Sequence, residues 1–147
     1  IKNQNAICKN PFSVTAKWLL GLAAIALTIK LLLQLGSTIP SLSTLAFGFR
    51  PIVIGYLHLV LLGVITLFLI GFMFAANFIA INKKATAGAG IFAAGIIINE
   101  VFLMTQGVGA LDYINIPYIN TALLVAAVIM FAGLLLLNIS QQNKLQK

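Results

Sequence analysis

The sequence predicts an all-α, polytopic membrane protein: four transmembrane helices in an antiparallel bundle, with both termini cytoplasmic. Three observations predict it. Of 147 residues, 61% are hydrophobic and 7% charged, and the mean hydropathy is +1.10. A soluble domain carries about a quarter charged residues, so this chain cannot clothe a globular surface in polar groups. Its apolar residues gather into four runs that reach the ~20 residues a helix needs to cross a ~30 Å hydrocarbon core. None of the runs alternates as barrel strands do, and helices satisfy their own backbone polar groups within lipid.

The first span is expected over 16–35, where Gly36-Ser37-Thr38-Ile39-Pro40 breaks it. Ile1 to Phe12 ahead of it is polar and basic without an apolar core, so it does not read as a signal peptide. The chain starts at Ile1 rather than Met, and we expect a fragment of a larger membrane protein. Ser41 to Phe47 is expected to form a short interfacial helix before Pro51 opens the second span, a first-turn position that proline tolerates. That span covers 52–81, longer than the core at ~1.5 Å per residue, so it tilts or projects. A tight turn at Asn82-Lys83-Lys84 makes spans two and three an antiparallel hairpin. The third and fourth spans are expected over 85–104 and 118–137. One transmembrane domain therefore occupies 1–147.

Lys and Arg set the orientation. Lys2, Lys9, Lys17, Lys83, Lys84, Lys144 and Lys147 fall on one side of a four-span chain. The other side receives Arg50 in one loop and Asp112 in the next. The positive side reads as cytoplasmic, the membrane as a cell membrane (bacterial inner membrane), and the loops 36–51 and 105–117 as external. The positive residues cluster at span ends without a basic, aromatic-interleaved patch, so topology rather than nucleic acid explains the net charge of +7. Cys8 has no internal partner and reads as an inert thiol in a cytosolic flank. Gly88-Ala89-Gly90 lacks the rest of a phosphate loop.

Lys30, His58 and Glu100 are the ionisable residues deep within spans one, two and three. Counted from the outer ends at ~1.5 Å per residue, all three fall in one layer ~7–10 Å below the outer boundary. Intramembrane ionisable residues are rare and usually face a bundle interior or cavity. At ~100° per residue, Ala23, Ala26, Lys30, Gln34 and Ser37 share one stripe, as do Ala89, Ala93 and Glu100. Small-residue pairs are expected at Gly71 with Ala75, Gly90 with Ala94 and Ala122 with Ala126. Gly55, Gly63 and Gly71 lie eight apart, so an α-helix winds them around its surface. Lys30 either snorkels outward past Gln34 or pairs with Glu100. Arg50, Trp18, Tyr113 and Tyr118 read as interfacial anchors, and Asn99, Asn120 and Thr121 as hydrogen-bonding stitches between helices. For His58, three readings stay open: structural hydrogen bonding, ligation of haem or metal, and proton handling.

Within Phe49 to Gly63, the string Tyr56-Leu57-His58-Leu59-Val60-Leu61-Leu62-Gly63 resembles the histidine-bearing helices of haem-copper oxidase subunit I-like proteins, most nearly the NnrS-like membrane proteins. The resemblance implies a C-terminal part of an all-helical, many-span protein whose intramembrane histidines hold haem or copper near the outer face. His58 is then the residue that inherits a ligand role, with Glu100 to hold its other ring nitrogen. No second histidine exists in this chain, so the remaining ligands come from another segment or subunit.

Three functions follow as expectations. The first is a redox module lending His58 to a haem or metal site, with Arg50, Tyr56, Gln34 and Asn99 as supporting residues. The second is a small-solute or proton transport module using Lys30, His58 and Glu100. The third is a structural subunit whose polar layer sets helix register. Expected partners are the lipid bilayer and further transmembrane helices. No pattern of residues specifies a catalytic group.

Overall fold

The computed structural model describes residues 13–145 except Asp112 and Asn115. Lys2, Cys8, Lys9, Asp112 and Lys147, which carry part of the charge and thiol argument, lie outside the described residues. Every regular element among the described residues is helical: α1 (Val14–Gly36), α2 (Pro40–Gly48), α3 (Arg50–His58), a π-helical segment (Leu59–Thr66), α4 (Leu67–Ala75), α5 (Lys83–Leu111) and α6 (Ile119–Leu145). The run α3–π–α4 forms one composite helix, Arg50–Ala75. Among the described residues it makes, with α1, α5 and α6, four helices long and apolar enough to cross a membrane.

Polar residues cut these helices to length. Ser13 caps α1 by accepting the amide of Ala16 at 3.1 Å. At the far end the hydroxyls of Ser37 and Thr38 donate to the carbonyls of Gln34 and Leu35, at 2.8 and 2.7 Å, satisfying acceptors that the helix leaves open. Pro40 and Pro51 sit in the first turns of α2 and α3, where no amide hydrogen is needed. Phe49 is extended between them.

The composite helix stops earlier than its apolar run. Asn77 takes a left-handed conformation at φ 59°, and the amide of Phe78 turns back to the carbonyl of Met73 at 3.0 Å. Such a reversal ends a helix, and asparagine adopts it more readily than most residues. Phe78 to Ile81 therefore runs outside the helix although it is as apolar as a span, and the turn at 82–84 becomes a longer connection over 76–82. Asn82 then caps α5 by accepting the Ala85 amide at 2.6 Å. The connection is tied to the end of α6: Gln141 accepts from the Ala80 amide at 2.9 Å and donates to the Ala80 carbonyl, and Asn82 donates to the Ser140 carbonyl. At their C-terminal ends α5 and α6 outlast their apolar stretches: Thr105 in α5, and Asn138, Ser140, Gln141 and Gln142 in α6, are polar but still helical.

Packing follows small residues. Ala16, Leu19, Ala23 and Ala26 bury one face of α1, and a Cβ added to Gly63 would stand 3.2 Å from Ala26. One added to Gly71 would meet Leu19 and Leu20. Gly55 faces Leu103 of α5, and Gly107 faces Ile52 of α3. The α5–α6 contact is the tightest: a Cβ on Gly133 would lie 2.6 Å from the backbone nitrogen of Phe92, and one on Gly88 2.7 Å from that of Leu137. Phe74, Ile79, Ala85, Ala89, Phe92 and Ile96 complete a core with Leu67 and the α1 alanines.

One packing expectation changes. Gly90 and Ala94 are exposed, and a Cβ on Gly90 meets nothing within 4 Å. The close-approach positions are Gly88 and Gly95, which α-helical phase places on a different face. Gly55, Gly63 and Gly71 are all buried but against different helices: Gly55 meets α5, and Gly63 and Gly71 meet α1.

Candidate functional site

His58 ends α3 at the point where the turn widens. Its Nδ1 lies 2.9 Å from the carbonyl oxygen of Ile54, one turn back in the same helix. A carbonyl only accepts, so Nδ1 carries a hydrogen and donates it, which makes Nε2 the nitrogen open to a ligand. The half-buried side chain lines a groove of about 310 Å³ with Ile54, Leu57, Leu61 and Leu62. The groove is apolar except for the imidazole. A basic nitrogen held there by a backbone hydrogen bond has the preparation seen in metal-bound histidines, whose other nitrogen donates to a carbonyl or carboxylate.

In this chain the holder is the Ile54 carbonyl, so the hydrogen bond expected from His58 to Glu100 is not made through Nδ1. Glu100 is half-buried on α5, and its Oε1 is enclosed without a hydrogen-bond partner. Beside it Asn99 is 5% exposed, and its Nδ2 is likewise without a partner. Asn99 therefore does not stitch helices through that nitrogen. A polar atom removed from water and left unpaired costs about 1–3 kcal/mol, so two in adjacent residues mark a place that a further donor and acceptor would complete.

Lys30 is half-buried on the stripe that carries Ala23 and Ala26, and its ammonium donates to Gln34 Oε1 within α1. That is the outward-reaching geometry, with exposed Gln34 as its acceptor. Tyr56 is half-buried nearly two turns inside Arg50, which is exposed at the start of α3. At the same end Phe49 and Tyr113 meet edge to face, with ring centroids 6.1 Å apart.

As a cofactor site the arrangement is incomplete. Among the described residues no group of three His, Cys, Asp or Glu side chains is placed to hold a metal ion. One imidazole does not make a bis-histidine haem or a three-histidine copper centre, so the remaining ligands would come from outside these residues. The sequence reading missed Thr66, whose hydroxyl donates to the Leu61 carbonyl at 2.8 Å, five residues back. A lone threonine in an apolar helix carries no signal of that geometry. It also missed Asn82 and Gln141, whose polarity against an apolar background was the available clue.

Comparisons with family models, curated proteins and solved structures find no match to this chain.

Proposed function

We propose that the chain is a module of a multi-pass cell-membrane protein that offers the imidazole of His58 as a ligand to a haem or metal redox centre completed by another segment or subunit. The observation that carries this reading is the Nδ1 hydrogen bond to Ile54, which leaves Nε2 as the nitrogen open to a ligand in an apolar groove. The similarity of Tyr56 to Gly63 to haem-copper oxidase-like helices points the same way. The contacts of Gly63 with Ala26, Gly71 with Leu19, and Gly55 with Leu103 support an antiparallel bundle. The positive-inside bias supports cytoplasmic termini in a bacterial inner membrane. Purified from its native membrane with any associated chains, the protein should show a haem Soret band, or bound copper or iron by elemental analysis. Replacing His58 with alanine should remove it. A wild-type preparation with neither signal overturns the redox reading.

A second reading rests on the unpaired atoms of Asn99 and Glu100. Counting inward from Gly55 and Leu103 brings His58 level with Glu100, and counting outward from Gly63 and Ala26 brings Leu59 level with Lys30. Three protonatable groups at one height suit a proton or small-solute path. In reconstituted vesicles Glu100→Gln should then lower flux at least about tenfold, the equivalent of 1.4 kcal/mol. Unchanged flux leaves the layer as a structural device that sets helix register.

A further inference from the structure

The π-helical segment begins at the residue after the single histidine, and its geometry bears on where that histidine stands. In an uninterrupted α-helix at ~100° per residue, the nine residues from His58 to buried Leu67 make about two and a half turns. His58 would then sit half a turn away from the line through Leu67. Instead Gly55, Leu59, Gly63 and Leu67 are all buried, at intervals of four. Four α-helical residues overshoot a turn by ~40°, so three such steps would drift by ~120°. The π turn, closed by i→i+5 bonds, holds more residues and resets that rotation, so that Gly55 meets Leu103 of α5 while Gly63 meets Ala26 of α1. His58 consequently flanks the buried positions, half-buried in a groove formed by its own helix.

One side chain in the segment matches this wider register. Thr28 and Thr105 donate to the carbonyls of Ala24 and Val101, four residues back, as threonines do in α-helices. Thr66 donates to Leu61, five residues back. Its hydroxyl thus reaches an acceptor that the α register would place elsewhere. The neighbouring residues Val64, Ile65 and Leu67 offer no polar side chain to do the same.

We propose that Thr66 is a positioning residue for His58: its hydroxyl holds the segment Leu59–Thr66 in the π register, and that register sets the rotation of the His58 half of the composite helix, which packs on α5, against the Gly63–Gly71 half, which packs on α1. The proposal rests on the reading of His58 as a working base. The chain contains one histidine, so isotope-labelled histidine in the full chain, in lipid bilayers, reports one imidazole by solid-state NMR. Thr66→Val and Thr66→Ala should each shift the Nε2 resonance and increase its relaxation by oxygen dissolved in the bilayer, as His58 turns toward lipid. Thr66→Ser should keep both signals at their wild-type values, and so should Thr28→Val, which removes an ordinary four-back bond. Should either Thr66 truncation fail to fold, the other decides. A folded Thr66→Val or Thr66→Ala with unaltered signals overturns the proposal, as does Thr28→Val moving them equally. Cofactor content separates the two readings: if His58→Ala leaves it unchanged while the Thr66 variants still move the imidazole, the ligand role fails and the positioning stands.

Discussion

A buried polar atom in a membrane has no water to fall back on, so its partner, or the lack of one, says what its side chain is for. Asn82 is exposed in the connection between helices, yet both ends of its amide are used: its carbonyl oxygen caps α5 and its amide nitrogen reaches Ser140. Asn82→Ala should cost about 1–2 kcal/mol in a detergent unfolding titration, since a cap alone contributes on that order. Asn82→Asp retains the cap and should recover most of the loss. Glu100 is the opposite case, with Oε1 enclosed and unpaired. Glu100→Met should raise stability by roughly 1 kcal/mol in the same titration, because an unsatisfied acceptor is replaced by an apolar group of similar length. A clear loss of stability would mean that the carboxyl has a structural partner after all.

Between helices, the decisive quantity is how near two backbones come. Gly88 and Gly133 let α5 and α6 touch main chain to main chain, whereas Gly90, two residues away, faces open space. Gly133→Ala should therefore destabilise by about 1–3 kcal/mol, since backbone atoms cannot swing aside as a flexible side chain can. Gly90→Ala should be neutral or gain up to about 1 kcal/mol from helix propensity. Thermal unfolding of the two variants in one detergent separates them, and equal effects would contradict the packing of α5 on α6. The ends of elements obey the same local logic. Apolarity continues past Ala75, but Asn77 in a left-handed conformation reverses the chain. The connection it opens is then held by Gln141 from α6.

For the whole molecule, the testable property is its placement in the membrane. In a Cys8→Ser background, a membrane-impermeant maleimide added to intact cells should label Ser43→Cys. Lys83→Cys should react only after the membrane is opened. Ser43 lies in α2 and Lys83 at the start of α5, at opposite ends of the composite helix. Labelling of both from outside would overturn the proposed orientation. Many large apolar side chains are exposed on all four long helices, among them Leu32, Phe68, Ile97 and Phe131. Lipid or further helices must cover them, since a surface of this kind is not stable in water.

By itself the sequence determined that this is a helical membrane chain, because length and hydropathy decide what can cross a bilayer and neither depends on neighbours. It also marked Lys30, His58 and Glu100 as unusual, since charge within an apolar run is visible residue by residue. The tertiary structure decided everything that turns on phase and partnership. It gave His58 the Ile54 carbonyl in place of Glu100, Lys30 the side chain of Gln34, and close approach to Gly88 rather than Gly90. The physical reason is that a helix face is set by accumulated rotation. One π segment alters that sum over the residues beyond it, while leaving composition and hydropathy unchanged.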